Sequence, residues 1–505
     1  MKVNDQVYVS YPSAVQYGTK GAAGSTKGKK SVNQLLWGDW ACIKEIDGNW
    51  VKIRARNHDG WVRKENLQTN RLLEVNFVDI GQGDGCHIQT AKDKAIVIDA
   101  GEGDNMYRFL RWRFGKFAKK FTFESFIITH PDKDHYFGFT PLLEHEKVHV
   151  GTIYHNAIVE QVSGGKNTLG TEKKVDGTRY ITGLVQTMDE LKKITNNTAR
   201  RGKRPYPNML KTAVDSGRVK KVAGVLASTD WTTPVYLPGY GPDDNSGMTL
   251  KLLGPVPKEL TSGKPGLPKI GNTGITKNGH SVVLLLEIGN IKILLGGDLN
   301  EPSQNYLMEH YTGLDPDPKS PIEMETLIAE GRKHFEVDIA KACHHGSAHV
   351  SPSFLQATNP LATVISSGDN EPHSHPRPDT LGIIGKYSRS DRPLIFSTEL
   401  ARSGNESIKH PNLVRRELRK GIEKEMAILN DPAATDEKKK KADERLENHL
   451  NVIERSVANY GMINVRTDGK RMIVAQRLER QRSKSKRWDI YMFESDERGR
   501  IHYVH

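Results

Sequence analysis

Phe126-Ile127-Ile128-Thr129-His130-Pro131-Asp132-Lys133-Asp134-His135 decides how this chain is read. An apolar run of strand character ends at Thr129, and the six residues behind it carry two imidazoles and two carboxylates. Ordinary surface does not concentrate candidate metal ligands in this way. Histidine nitrogens suit zinc, manganese and iron, while carboxylates add charge and can bridge two ions. A strand end is rigid behind and open in front, which is what a metal site requires.

The same grammar recurs along the chain. Val97-Ile98-Asp99-Ala100-Gly101 puts an Asp at a strand end before a glycine, where a carboxylate commonly orients a ligating imidazole. His280 stands before the run Ser281–Leu285, and Leu294-Leu295-Gly296-Gly297 delivers Asp298. Ala342-Cys343-His344-His345-Gly346-Ser347 follows another apolar run, and His373-Ser374-His375-Pro376 follows Thr363–Ser366. Each alone has a plain reading: His280 a loop residue, Asp298 a helix cap, His345 a surface imidazole, Cys343 a buried strand end. Recurrence at successive strand ends points instead to a shared site.

The chain has 505 residues, enough for two or three domains, and only 36% of it is hydrophobic. With a mean hydropathy of −0.59 it reads as a globular centre carrying polar insertions. No apolar run approaches the roughly 20 residues of a membrane span. Met1-Lys2-Val3-Asn4-Asp5 lacks the regions of a signal peptide, so a cytoplasmic location is expected. Three scattered cysteines exclude a disulfide framework and a Cys-rich zinc site. The net charge of +13 favours polyanionic partners, although runs such as Lys438–Lys441 read as solvated helix faces.

Residues 1–68 form a separate β-rich unit. Gly48-Asn49-Trp50-Val51-Lys52-Ile53 followed by Gly60-Trp61-Val62 resembles a bacterial SH3-like barrel, with its Trp residues as barrel core and rim and Gly18 to Lys30 as a loop. Strand and helix signals then alternate over residues 72–402, interrupted by a polar insertion at about 151–246. Residues 409–457 have helical spacing broken at Asp431-Pro432 and read as a hairpin serving as a dimerisation arm or a lid. Residues 458–505 return to β character and complete or flank the larger domain.

Glu74–Gly85 (EVNFVDIGQGDG), Ile96–Gly101, Thr129–His135, Leu295–Leu299 and His344–Ser347 occur in that order. Together they resemble the metallo-β-lactamase-fold hydrolases, in particular the soluble domain of the ComEC-type DNA-uptake competence proteins, with signatures DVGQGDA, SHPDxDH, TGD, HHGS and GHP. The resemblance implies an α/β fold: a four-layer αββα sandwich with helical insertions, preceded here by the small SH3-like barrel. It also implies two divalent ions, Zn²⁺ or Mn²⁺. One would rest on His130, Asp132 and His280, the other on Asp134, His135 and His344, with Asp298 bridging. Asp99, Asp84 and His345 would support these ligands from behind, and His375 matches the GHP element beside the substrate. Asp79 and Asp84 lie in the signature loop, where turn formation competes with chemistry. His344 is preferred to its neighbour because it follows the strand directly, though the two can exchange. Asp132 replaces the His of the wider superfamily, as it does in the competence branch, and its oxygen makes Mn²⁺ more competitive.

In the implied reaction a hydroxide between two ions attacks a phosphodiester, Asp132 or Asp134 orients it, and His375 serves the leaving oxygen. Nucleic acid is the leading substrate, favoured by the basic segments Arg200–Arg204 and Arg477–Arg487. The alternatives are a small-molecule hydrolase, phosphocholine esterase-like or acting on a cyclic nucleotide, and an inactive binding or scaffold protein. A partner for the SH3-like unit and oligomerisation through the 409–457 helices complete the expectations.

Overall fold

The computed structural model describes residues 1–20, 30–81, 83–261, 263–368, 375–398, 411–459, 461–478 and 483–504. His373, residues 21–29 of the Gly18–Lys30 stretch and residues 479–482 of the Arg477–Arg487 segment lie outside them. The chain is a mixed α/β protein that begins with an antiparallel sheet, consistent with an SH3-like domain. Strands there run in the spatial order Ser31–Leu36, Ser13–Tyr17, His58–Arg63, Trp50–Ala55, Trp40–Asp47, Gln6–Val9, Leu67–Gln68. Alternate apolar positions, among them Val7, Val9, Ile43, Val51, Ile53 and Val62, close over one small core. Trp37 is fully buried outside that core, against Leu72, Ile473 and Trp488, so it joins this sheet to the larger body.

Two large sheets follow. The first has ten strands, in the order Val219–Gly224, Val148–His155, Phe121–Ile128, Ala95–Ala100, Gly85–Gln89, Leu73–Phe77, Ile463–Thr467, Arg471–Arg477, Trp488–Ser495, Ile501–Val504. The second has seven: Val235–Tyr236, Thr249–Gly254, Val283–Ile288, Ile291–Leu295, Ile339–Lys341, Ala362–Ile365, Leu394–Ser397. The period-two alternation of a strand divides the apolar residues between two faces. Ile96 and Ile98 join Val75, Phe77, Leu250, Leu284, Ile293 and Val364 in a core shared by both sheets. Val97 faces the other way, with Phe109, Leu142, Leu191 and Leu210 from helices covering the first sheet. Leu307, Leu327 and Phe354, from the helices Glu301–Thr312, Pro321–Phe335 and Pro352–Thr358, belong to the shared core's cluster.

The expected insertion at 151–246 is cut differently. Val148–His155 and Val219–Gly224 are parallel neighbours inside the ten-stranded sheet. Between them lie two short hairpins and the helices Met188–Thr195, Thr198–Arg201 and Pro205–Asp215. The helices Pro411–Asn430 and Asp436–Asn459 pair with each other, and the second runs along the helix Asn105–Arg113. Among the described residues, no helix is long and apolar enough to cross a membrane.

What positions the site is strand direction. Ala95–Ala100 and Phe121–Ile128 are parallel, as are Ile291–Leu295, Ile339–Lys341 and Ala362–Ile365. Their C-terminal ends therefore release Asp99, His130, Asp298 and His345 toward one edge of the two sheets.

Candidate metal centre

His135 lies in the short helix Lys133–Tyr136, its ring buried. Its Nδ1 is 2.8 Å from Asp99 Oδ2, and Asp99 also accepts from Thr129 N at 2.8 Å and Thr129 Oγ1 at 2.7 Å. Asp99 adopts φ 54 to reach all three, a left-handed backbone that a non-glycine residue holds only when its surroundings insist. With Nδ1 engaged, Nε2 of His135 faces Asp298 Oδ2 at 3.3 Å.

His345 repeats the arrangement from the other sheet. Its Nδ1 sits 3.1 Å from Ser366 O and 3.1 Å from Asp84 Oδ1. Its Nε2 faces Asp298 Oδ2 at 3.2 Å and Asp134 Oδ2 at 3.5 Å. His344 and His345 both have positive φ, 50 and 54. This kink carries His345 inward and leaves His344 a quarter exposed, with Nε2 4.0 Å from Asp298 Oδ2. The nearer ligand position thus falls to His345, and His344 stands at the mouth.

The backbone beneath is tight. A Cβ on Gly297 would meet Ser281 Cβ at 2.7 Å, and one on Gly83 would meet Asp134 O at 1.8 Å. Gly83 therefore presses directly on the Asp134 segment, and Asp84 N approaches Asp134 O at 3.3 Å. Asp298 is not a helix cap, since Asn300 caps the helix Glu301–Thr312.

Nε2 of His130, His135 and His345 and Oδ1 of Asp298 are buried and have no hydrogen-bond partner among the described residues. Orphaned buried polar atoms cost stability unless something satisfies them. His130, His135 and Asp298 form one group able to hold an ion, and Asp134, His135 and His345 another. A tetrahedral ion with bonds of about 2.1 Å separates its ligands by roughly 3.4 Å. The His135–Asp298, His345–Asp298 and His345–Asp134 spacings of 3.3, 3.2 and 3.5 Å match that edge length, and His135–Asp134 is wider at 3.9 Å. These residues fit a metal ion.

The electrostatics agree. Burial disfavours imidazolium at His135 and His345, yet Asp298 and the neighbouring carboxylates outweigh it and raise both well above the ordinary value. Burial works against the Asp134 and Asp298 carboxylates as well, and the facing imidazoles pull both well down. Imidazoles and carboxylates thus favour one another's charged forms, and binding an ion would have to displace any proton from the ligating nitrogens.

Two of the expected ligands are not brought in. His280 caps the helix Thr273–Gly279 and points away, its Nε2 2.7 Å from Pro268 O, and burial pushes its pKa down to about 4. Among the described residues Asp132 joins none of the ion-holding groups: one oxygen pairs with Lys277 Nζ, and the other accepts the Asn278 amide at 2.7 Å in the orientation that satisfies that side chain. Cys343 stays out too, its thiol pushed up to about 12 by burial. His375 packs near both neighbours, its ring centre 5.7 Å from that of His344 and 6.2 Å from that of His345. Asp79 accepts from Gly81 N at 3.3 Å, within the signature turn.

Two residues were not foreseen. Lys341, buried in its strand, contacts Asp84 Oδ2, donates to Gly297 O at 3.0 Å and lies 3.8 Å from Asp298 Oδ1. A lysine inside an otherwise apolar strand that ends in a His pair was the available signal. Lys277 pairs with Asp132 and, at 3.4 Å, with Glu160, whose other partner is Arg204 at 2.7 Å.

No family model matches the chain. It is similar to ComE operon protein 3 of Bacillus subtilis (strain 168), 25% identical over 114 residues. That stretch is 22% of this chain and 12% of the relative's length.

Proposed function

We propose that this chain is a metal-dependent hydrolase of the metallo-β-lactamase-fold type that cleaves phosphodiester bonds, with nucleic acid as its substrate. One observation carries the reading: the buried Nε2 atoms of His135 and His345, without hydrogen-bond partners among the described residues, both face Asp298 Oδ2 at ligand spacing, 3.3 and 3.2 Å. The helix-backed pair of sheets supports the αββα assignment, and the partial match to ComE operon protein 3 supports the competence branch.

When loaded, such a site supplies Lewis acidity and a water activated at neutral pH. Zn²⁺ and Mn²⁺ both suit a mixed imidazole–carboxylate set. Asp99 and Asp84 fix the tautomers of His135 and His345 through Nδ1, so that each ring presents Nε2. A pocket lined by His344, Ser347, His349, His375 and Arg377 opens beside the centre. There Arg377 binds a non-bridging phosphate oxygen, and His375 passes a ring proton to the leaving oxygen. The ion-pair chain Asp132–Lys277–Glu160–Arg204 ties the basic Arg200–Arg204 segment to the rim, which favours a polyanion over a small neutral ester.

The test is cleavage of labelled single- and double-stranded DNA and of RNA by the full chain with Mn²⁺ or Zn²⁺, beside a phosphocholine ester and a cyclic nucleotide. Cleavage of nucleic acid that disappears in an Asp134→Ala, His135→Ala variant supports the proposal. Turnover of the small esters alone moves the enzyme to the small-molecule class. A protein that neither binds metal nor cleaves any of them is the scaffold.

A further inference from the structure

We propose that this centre holds one divalent ion, on Asp134, His135, His345 and Asp298, and that the Lys277 ammonium takes the place of a second. The inference rests on the metal-centre reading above and departs from the two-ion arrangement that the sequence resemblance implies.

The second ion would need His130, Asp132 and His280 beside the bridging Asp298. His280 is spent on Pro268 O at 2.7 Å, and Asn156 Nδ2 holds its carbonyl at 2.9 Å, so the residue is fixed at both ends facing away. Asp132 is spent as well. Its Oδ1 faces Lys277 Nζ, and its Oδ2 accepts the Asn278 amide at 2.7 Å. That Oδ2 is 3.4 Å from His130 Nε2, a spacing two ligands could share, but its charge is already neutralised by the lysine. His130 remains beside Asp298 and His135, with which it forms a group able to hold an ion, but those two partners already belong to the first centre, so no independent second set is left. Its Nδ1 is held near Ser281 Oγ at 3.3 Å and Thr129 Oγ1 at 3.1 Å, so the ring stays fixed without a metal.

Lys277 is placed for this role by the helix Thr273–Gly279, capped by Asn272, whose side chain accepts from Ile275 N. Its side chain is only 14% exposed and lies between two acids, Asp132 and Glu160. An ammonium there supplies fixed positive charge where a second ion would otherwise compensate Asp132. Unlike an ion, it cannot be removed by a chelator.

The experiment is metal stoichiometry on the full chain, stripped by chelation, reloaded with Mn²⁺, desalted and measured by mass spectrometry, with the electron paramagnetic resonance spectrum of the same sample. One ion per chain and an isolated-ion spectrum are expected. Lys277→Met, which releases Asp132, should raise the content toward two with a spin-coupled signal, while Lys277→Arg and His280→Ala should stay at one. Two ions in the wild type overturn the inference and leave the hydrolase proposal standing; none at all overturns both. A Lys277→Met protein that folds, by circular dichroism, yet keeps one ion refutes the substitution of lysine for metal. If that variant does not fold, loss of the ion from His280→Ala would refute the ligand assignment.

Discussion

Asp99 Oδ2 lies 2.8 Å from His135 Nδ1, and both side chains are buried. This contact decides which nitrogen of His135 faces the centre, and Asp99 stabilises the ring's orientation while itself anchored by Thr129. Asp99→Asn keeps the shape but exchanges a carboxylate for an amide. Metal affinity should fall by about 10–100-fold, as is typical when a partner behind a ligand is altered. Competition with a fluorescent chelator measures it. Unchanged affinity would mean that His135 is not a ligand.

Lys341 lies in the interior against both Asp84 and Asp298, as His345 does from the other side. Lys341→Met removes the ammonium partner of Asp84 and leaves those acids to the imidazoles alone, and removing one partner of a buried pair costs about 3–5 kcal/mol. Urea unfolding of the apo protein should show that loss, and Asp84→Asn in the same chain should recover part of it. Additive losses in the double variant would show that the two residues do not interact.

A second buried charge cluster joins the N-terminal sheet to the main body. Arg466 donates to Trp37 O at 2.6 Å and Asp39 Oδ1 at 2.8 Å, and lies 3.9 Å from Glu74, which Arg113 contacts at 2.8 Å. Burial alone would raise the Glu74 carboxyl, but Arg113 and Arg466 outweigh it and hold it at about 2, below its usual 4.5. A pKa lowered by folding contributes stability that is complete above the unfolded value and lost as pH falls toward the folded one. The loss should therefore occur between pH 4.5 and about 2 and be on the order of 3 kcal/mol. Glu74→Gln should flatten this part of the stability–pH curve measured by urea unfolding. An equally steep curve in that variant would assign the acid sensitivity elsewhere.

Much of this site could be read in the sequence because strand-end placement is a local property. His130, Asp134, His135 and Asp298 each follow an apolar run, and the strands that carry them are parallel within their sheets, so local signals converged. The failures were non-local. Whether His344 or His345 turns inward depends on two successive left-handed residues, φ 50 and 54, which no neighbouring residue type announces. His280 is turned away by a carbonyl at Pro268 across a helix, and Asp132 by a lysine on that same helix. The insertion boundary failed for a related reason: Val148–His155 carries polar residues yet lies inside the sheet, its partners supplied by Phe121–Ile128 and Val219–Gly224.

The three histidines separate these outcomes in a single series. His345→Ala removes a buried nitrogen 3.2 Å from Asp298 Oδ2, and its cost in metal affinity should exceed the roughly 10–100-fold expected for a supporting partner. His344→Ala removes a ring a quarter exposed at 4.0 Å, so affinity should change little, and any effect should fall on cleavage through the adjoining pocket. His280→Ala should leave affinity unchanged while lowering stability by about 1–3 kcal/mol, because Pro268 O loses its buried partner. Isothermal titration with Zn²⁺ and thermal unfolding of the metal-free proteins give both quantities for each variant. If His344→Ala strips the ion and His345→Ala does not, the two rings have exchanged roles and the kink at φ 50 and 54 turns the other way in solution. If His280→Ala strips it, the ring leaves Pro268 on loading, and the second tripod is real.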